Sequence, residues 1–274
     1  MGRGLTSPGT NPRMRCMLGW VRDIANRREL VWILIERNLK IRYKSSFLGF
    51  FWSLLSPLFL IFIYSLFLGV LKFPIHLPTL VTGIIAWQFL AMCMGDSLYS
   101  IVGNANLVTK AAFPRMILPL SMVGANALNF LFSFVVLSVY LVFAGASFGG
   151  AGWLPLIMLT QAALCLGMAM IVGSANVFFR DTEHVMSVIM LAWFFLSPVI
   201  YEPEMIMEGF PRWVQVAFYL NPMSGILTAY RAALLTPPAV DGGLVAMSFG
   251  VAWAVFGAGL LVFRAAEPRF GDEL

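Results

Sequence analysis

Long apolar segments occupy most of the sequence after residue 47 and constrain the fold more than any other feature. A helix that crosses the hydrocarbon core of a bilayer, roughly 30 Å thick, needs about 20 mostly apolar residues. Segments that reach or approach this length lie at residues 48–71, 79–102, 119–144, 153–179, 185–201 and 244–263. The sequence therefore predicts an all-α polytopic membrane protein with six transmembrane helices.

Composition supports this fold class and excludes others. The chain is 60% hydrophobic and 11% charged, whereas soluble domains are about 45–50% apolar and about 25% charged. A soluble enzyme and a nucleic-acid-binding module are thereby excluded as the main body of the chain.

The segment between the fifth and sixth apolar runs, residues 202–241, has a different pattern. Its apolar patches at 213–220 and 225–235 are too short to span, and they are interrupted by Pro203, Pro211, Pro222, Pro237 and Pro238. Irregular backbone at membrane depth is tolerated only where protein buries it or where it lines a cavity. This segment is predicted to form re-entrant or interfacial half-helices at the outer side.

The basic residues predict the orientation of the chain in the membrane. Fifteen of the 18 lysines and arginines fall in segments that lie inside if both termini are cytoplasmic, and ten of them precede the first span. Because basic residues concentrate on the cytoplasmic side of membrane proteins, both termini are predicted to be cytoplasmic. The net charge of +5 then reflects topology and requires no nucleic-acid partner.

The basic segment before the first span is predicted to form an amphipathic helix from Arg27 to Lys44. Apolar residues recur near helical spacing at Val31, Leu34, Ile35 and Ile41, and Glu36 and Lys40 are an i, i+4 pair in the favourable order. Such a helix lies in the headgroup plane, either as a topology anchor on anionic lipid or as a docking surface, and the two roles are compatible. The predicted organisation is a flexible cytoplasmic tail at 1–26, this helix and a loop at 27–47, a transmembrane domain at 48–263 and a cytoplasmic tail at 264–274.

The residues of a nucleotide site, a metal site or a catalytic centre are absent from the sequence. There is no P-loop motif, the two histidines lie in different loops, and the three cysteines have neither zinc-site nor disulfide spacing. Asp96 is the one acidic residue inside a predicted span. Water or a neighbouring polar group is expected to satisfy it, the alternative being a contact to a partner span or a substrate hydroxyl. We predict a transport protein with no catalytic residue, metal or cofactor of its own, whose energy comes from a partner.

The loop after the second span, residues 104–119, could receive that partner. Pro114 and Pro119 confine any helix to a short piece before Phe113. A short helix with an exposed aromatic residue, a proline turn and Arg115 is suited to a groove in another protein. The alternative is an ordinary inner loop that carries positive charge.

Motifs along the chain resemble the permease subunits of ABC-2-type transporters, in particular the branch that exports O-antigen, capsule and teichoic acid polysaccharides. They cover about residues 28–263 and occur in the expected order. They are the run from Arg37 to Trp52 followed by Pro57-Leu58, then Leu107, Lys110 and Phe113-Pro114-Arg115 with Leu118-Pro119, Phe179-Arg180-Asp181, Ser197-Pro198-Val199-Ile200-Tyr201, Asn221-Pro222-Met223 and Ala229-Tyr230-Arg231.

The resemblance implies a homodimer of permeases in the bacterial inner membrane that binds two separate ATP-binding cassette subunits and exports a lipid-linked polysaccharide. ATP and Mg²⁺ would be bound by those subunits. It implies an ATPase-coupling segment with Asn104, Leu107, Lys110, Phe113, Pro114 and Arg115. It also implies an interface helix with Arg37, Lys40, Arg42 and Lys44, and a substrate entrance with Tyr43, Leu48, Gly49 and Trp52.

Aromatic residues are candidates for the sugar path, because the apolar C–H faces of sugar rings stack on aromatic side chains. The candidate channel-lining residues are Tyr64, Trp87, Phe89, Tyr99, Trp193, Phe194, Phe195 and Tyr201. The alternative is that these side chains form the usual aromatic belt at the membrane interfaces or face lipid and neighbouring helices.

Two other functions compete with polysaccharide export. An ABC-2 exporter of a drug or small lipid would share the topology. A membrane-embedded glycan or lipid transferase would need clustered carboxylates or histidines with positioned partners. Its only candidates are Glu202, Glu204 and Glu208, which are better explained as solvating an outer loop.

Overall fold

Helices account for all regular secondary structure in the residues that the computed structural model describes, which are 27–44, 48–71, 76–110, 114–203, 209–235 and 242–274. Short 3₁₀ turns precede α2, α4 and α6 and follow α10. In chain order the helices are α1 (Arg28–Tyr43), α2 (Trp52–Leu71), α3 (Leu77–Leu98), α4 (Ala105–Lys110), α5 (Ile117–Phe143), α6 (Leu154–Phe178), α7 (Thr182–Leu196), α8 (Arg212–Tyr219), α9 (Pro222–Leu234), α10 (Gly242–Ala266) and α11 (Phe270–Glu273).

Four helical segments within the described residues are long and apolar enough to cross a membrane: Leu77–Leu98, Ile117–Phe143, Ala151–Phe178 and Gly242–Glu273. They correspond to the second, third, fourth and sixth predicted spans. The first and fifth predicted spans contain shorter apolar helical segments, Leu54–Phe67 and Thr182–Leu196. The chain is thus an all-helical, multi-pass membrane protein.

Several predicted span boundaries are wrong by a few residues, and prolines account for two of the errors. Helix α7 ends at Leu196 instead of residue 201, because Pro198 forces the preceding Ser197 out of the helical region (φ −106°, ψ 146°). Helix α5 begins at Ile117, two residues before Pro119, because proline is tolerated in the first turn of a helix. Helix α3 ends at Leu98 instead of residue 102.

Helix α3 lies at the centre of the bundle. It packs against α2, α5, α6, α7 and α9, and its side chains from Leu80 to Leu90 are buried except at Gln88. The polar Gln161 of α6 is also buried here, and its Nε2 donates to the main-chain oxygen of Ala86 at 2.7 Å. Around this helix the other spans form the main hydrophobic core.

Helices α6 and α10 cross with their backbones in contact. A Cβ added to Gly259 would lie 2.2 Å from the carbonyl oxygen of Gly167, and a Cβ on Gly167 would lie 2.5 Å from the Cα of Phe256. Small residues allow the two backbones to come this close. In a membrane the hydrophobic effect does not drive helices together, so close van der Waals packing of this kind stabilises their contact.

The proline-broken segment contains two short helices, as the sequence predicts. Helix α9 begins directly at Pro222, where proline has no helical hydrogen bond to lose, and almost all of it is buried against α3, α6 and α10. A Cβ on its Gly225 would lie 2.3 Å from Ser248 Cβ of α10. Helix α8 is more exposed. Because protein buries α9, the irregular backbone around it can be tolerated at membrane depth.

Candidate functional site

Helix α1 packs on the bundle end formed by α4 and the start of α5, which we call the α1 end. Leu34 is buried, and Ile35 lies so close to α5 that a Cβ on Gly124 would be 2.7 Å from its Cδ1. Ile41, on the predicted apolar face, is 62% exposed and faces away from the bundle, as an apolar residue of a helix in the headgroup plane is expected to do. The next residue, Arg42, turns toward the bundle instead, so polar contacts orient this part of the helix.

Two polar residues of α1 contact the bundle before Arg42 does. Arg37 Nη2 donates to Asn104 Oδ1 at 2.7 Å, and Asn38 Nδ2 donates to Ser121 Oγ at 3.3 Å. The buried Asn104 also donates from Nδ2 to the carbonyl oxygen of Ser100 at 2.8 Å. The side chain of Arg37 therefore connects α1 to the turn that leads into α4.

Arg42 makes an ion pair with Asp96 near the end of α3. The same Nη2 atom donates to Asn126 Oδ1 at 2.8 Å, and Asn126 Nδ2 donates to Asp96 Oδ2 at 2.8 Å. Neighbouring polar groups therefore satisfy Asp96, and one of them, Asn126, lies on another span, which is the contact that the alternative expectation named. One cluster thus joins α1, α3 and α5, while Lys40 pairs with Glu36 at 2.5 Å and points outward, as does Lys44.

The predicted coupling segment contains the expected short helix, α4. Leu107 and Pro114 are partly buried. Phe113 and the side chain of Lys110 lie outside the described residues.

Arg115 connects this segment to the C-terminal residues. Its Nη1 donates to the main-chain oxygen of Glu267, and its Nη2 donates to the oxygen of Val108 at 3.5 Å. The Arg115 N–H also donates to Glu267 Oε1 at 3.4 Å. The Arg115 side chain thus braces α4 against the C-terminal segment.

The C-terminal residues fold back on the bundle instead of extending away from it. The ring of Phe270 is fully buried and lies 6.1 Å from the ring of Phe178 and 5.4 Å from that of Phe263. The sequence indicated only a short tail here, and its pattern did not identify Phe270 as an anchor.

The predicted entrance residues lie where the chain turns into α2. Gly49 has φ +49°, a left-handed conformation that glycine adopts without a Cβ penalty, and it starts the 3₁₀ turn before Trp52. Leu48 and Gly49 are partly buried, and Trp52 is exposed. The side chain of Tyr43 lies outside the described residues.

Three predicted channel-lining aromatics meet near the other end of the bundle. Trp87 is buried, and its ring lies 6.1 Å from that of Trp193 and 5.5 Å from that of Phe194, both edge-on. Trp193 Nε1 donates to Asn221 Oδ1 at 2.7 Å, and that oxygen also caps α9 by accepting from Met223 N–H at 3.1 Å. One asparagine thus positions both the Trp193 ring and the start of α9.

Other predicted channel-lining residues occupy separate places. Phe89 stacks on Phe130 in the core, with ring centroids 4.9 Å apart. Tyr99 lies at the α1 end, where its hydroxyl donates to Glu183 Oε2 at 2.5 Å, and this hydrogen bond raises the tyrosine pKa. Phe195 is exposed, and Tyr64 and Tyr201 are partly buried.

Arg231 holds together the end of the bundle opposite α1. The side chain is 3% exposed, and it donates to three main-chain oxygens: Thr79 (Nε, 3.3 Å), Tyr201 (Nη1, 3.0 Å) and Val199 (Nη2, 3.0 Å). The sequence placed Arg231 only as an outer basic residue within a family motif. The sequence feature that could have pointed to this role is that Arg231 is a single charged residue in an apolar segment bounded by prolines.

Three of the cavities in the described part of the chain concern the predicted site residues and lie at the two ends of the bundle. One of about 470 Å³, beside the Trp193 ring, is lined by Leu196, Val214, Ala217, Phe218, Asn221 and Pro222. A second of about 450 Å³ has Arg231, His76 and Glu202 in its wall. The third, about 470 Å³, lies between α1, α3 and α5. No group of three His, Cys, Asp or Glu residues in the described part of the chain could hold a metal ion.

Comparison with known proteins identifies the family. Residues 29–235 match the model of the ABC-2 type transporter family. The chain is 30% identical over 268 residues to the O-antigen export system permease protein RfbA of Klebsiella pneumoniae, covering 96% of this chain and 99% of that protein. A protein of the same name from Myxococcus xanthus is 30% identical over 273 residues, covering 94% of this chain and 100% of that relative. The resemblance predicted from the motifs is confirmed, and the chain belongs to the ABC-2 type transporter family.

Proposed function

We propose that the chain is the permease subunit of an ABC transporter that exports an O-antigen-like, lipid-linked polysaccharide across the bacterial inner membrane. The observation that carries this proposal is the match, over nearly their full length, to relatives that are named O-antigen export permeases. A transport role agrees with the family of the chain.

In the proposed topology, α2 and α7 complete a set of six spans with α3, α5, α6 and α10. Both termini and the α1 end lie in the cytoplasm, and α8 and α9 lie at the outer side. The distribution of the basic residues supports this orientation. The four long apolar helices and the two shorter ones support the number of spans.

The proposed transporter contains two copies of this chain. Large apolar side chains are exposed along α2, for example Phe59, Phe62 and Leu66, and along α7, for example Val188 and Leu191. In a membrane such faces contact lipid or a second helix bundle. We assign them to the dimer interface and to the walls of the path between the two permeases.

Aromatic and amide groups are the proposed contacts for the sugar chain. Trp193, Phe218 and Asn221 line the cavity at the outer end of α7. Flat rings beside an amide can contact both the C–H face and the hydroxyl groups of a sugar, and mostly apolar sites with few polar groups are typical of ligand pockets. Weak contacts of this kind suit a polymer that must slide.

ATP hydrolysis takes place in separate subunits in this proposal, with ATP and Mg²⁺ bound there. Those subunits would contact α4, Phe113 and the outward-facing side of α1 with Lys40 and Lys44. Because Arg115 binds Glu267 and Val108, its role would be to hold the coupling segment in shape for the ATPase.

The direct test is export in cells that lack this chain but keep the partner ATPase. We expect polysaccharide to accumulate in the cytoplasm and to disappear from the cell surface, and a plasmid copy of the chain to restore surface polysaccharide. Both pools are measured with a glycan-specific antibody before and after permeabilisation. Unchanged surface polysaccharide together with increased sensitivity to a drug would instead support the drug-exporter alternative.

A single substitution tests the coupling segment. Phe113→Ala should weaken binding of the ATPase subunits roughly thirtyfold, because an aromatic anchor at the centre of an interface contributes about 2 kcal/mol, and export should fall while the protein still inserts in the membrane. Binding is measured with purified permease in nanodiscs. Phe143→Ala is the control, since Phe143 is 87% exposed at the other end of α5. Wild-type export by Phe113→Ala at equal expression would contradict the assignment.

A further inference from the structure

A basic cavity lies between α1, α3 and α5, and we call it the α1 cavity. Its volume is about 470 Å³. Two arginines of α1, Arg37 and Arg42, line it together with Asp96, Tyr99 and Asn104 from the facing elements. Two guanidinium groups against one carboxylate leave a positive charge in this cavity.

Both guanidinium groups retain hydrogen-bond donors that the protein does not satisfy. Arg37 Nε and Arg42 Nη1 are buried and have no acceptor among the residues that the structure describes. Their Nη2 atoms are already used, by Asn104 and by Asp96 with Asn126. Because a buried charged donor without an acceptor is costly, these atoms indicate a missing anionic or polar partner.

The remaining walls indicate that this partner is attached to a lipid. Ile41, Met122 and Ala125 give the α1 cavity apolar sides. On α1 itself Trp32, Ile33 and Ile41 are 58%, 59% and 62% exposed. An amphipathic helix with large apolar residues on one face and basic residues on another lies in the headgroup plane, with its apolar face against lipid. A soluble phosphate would gain nothing from these walls, whereas the upper part of a lipid would bury against them.

We infer that the α1 cavity binds the phosphate head group of an anionic phospholipid. Arginine pairs with phosphate through short, charge-assisted hydrogen bonds, and basic pockets between transmembrane helices bind anionic head groups in this way. The bound phosphate accepts hydrogen bonds from Arg37 and Arg42 after a small rotation of their side chains. Such a lipid joins α1 to α3 and α5, and this assignment does not depend on the substrate of the transporter.

The test measures lipid binding by the purified full-length chain. The protein is placed in neutral phosphatidylcholine nanodiscs, and binding of phosphatidylglycerol is followed by titration and by the rise in thermal unfolding temperature. Wild-type protein should prefer phosphatidylglycerol, and Arg37→Gln should bind it about fivefold more weakly, as expected for one basic residue at a membrane surface. Arg28→Gln removes the same charge from an exposed position on α1 outside the cavity and should change binding little.

A second variant is designed so that the Asp96 carboxylate is not left without its ion-pair partner. Arg42→Gln combined with Asp96→Asn removes the ion pair while it keeps polar groups at both positions, so the fold is expected to persist. The net charge of the cavity stays the same in this double variant, so the loss of the Arg42 donors alone should weaken phosphatidylglycerol binding. The inference is overturned if Arg37→Gln and the double variant bind phosphatidylglycerol as the wild type does, or if Arg28→Gln weakens binding equally. Full competition by inorganic phosphate would overturn the lipid assignment.

Discussion

Gly259→Val is expected to prevent α6 and α10 from packing and to leave little folded protein. Even a single Cβ at this position would lie 2.2 Å from the Gly167 oxygen and 2.7 Å from its Cα and carbonyl carbon. These are backbone atoms in the middle of a helix, so no side-chain rotation can relieve the overlap. Overpacking of this kind costs about 1–3 kcal/mol for added methylene groups, and a branched side chain against backbone should reach or exceed that range. The measurement is the unfolding temperature and the monodisperse yield in detergent.

Gly257→Val provides a matched control on the same helix. A Cβ on Gly257 would meet no atom within 4 Å, so this variant carries the same side chain and the same helix propensity without the overlap. It should fold with nearly wild-type yield. Equal losses in the two variants would show that the helical backbone, and not the crossing with Gly167, is responsible.

The helices of this fold are predictable from local patterns. The length of apolar runs identifies α3, α5, α6 and α10. Prolines end α7 at Leu196 and start α9 at Pro222, a local signal that the predicted bounds of 185–201 and 225–235 did not use. These features depend on residues that are contiguous or close together in the sequence. They are therefore readable without knowledge of the neighbouring helices.

The contacts between helices are not predictable in this way. Gly167 and Gly259 are two of many glycines in apolar segments, and only the crossing angle and depth of α6 and α10 distinguish them. Likewise Arg42 is one of ten basic residues before the first span. Its inward orientation follows from the position of Asp96 and Asn126 on two other helices, so the pattern of α1 alone does not single it out.

The candidate site also has parts that the sequence predicts and parts that depend on contacts between helices. The motif around Arg115 identifies a coupling segment by resemblance, but its bonds to Glu267 and Val108 depend on how the last residues fold back. The anchoring role of Phe270 is equally invisible in sequence, since a single aromatic residue in a charged tail has no periodic pattern. Both features require the positions of α4, α6 and α10 to be known first.

Arg231→Met should destabilise the end of the bundle opposite α1 by about 3 kcal/mol or more. The substitution keeps a long apolar stem but removes the donors to the oxygens of Thr79, Val199 and Tyr201. A buried acceptor that loses its partner costs about 1–3 kcal/mol, and three are affected. The space for the guanidinium depends on Gly83, where a Cβ would lie 2.8 Å from Nη2. The measurement is the free energy of unfolding in detergent, followed by glycan export in cells.

Arg212→Met is the matched control, because Arg212 is an exposed arginine at the start of α8 on the same side of the bundle. It removes an equal charge without exposing buried carbonyl groups, so its unfolding free energy should stay within about 0.5 kcal/mol of the wild type. Arg231→Lys should be intermediate, since one ammonium group cannot reach three oxygens that a planar guanidinium contacts in different directions. If Arg231→Met unfolds like Arg212→Met, the three carbonyl contacts do not hold this end together. The function of Arg231 must then lie in the cavity that Arg231, His76 and Glu202 line.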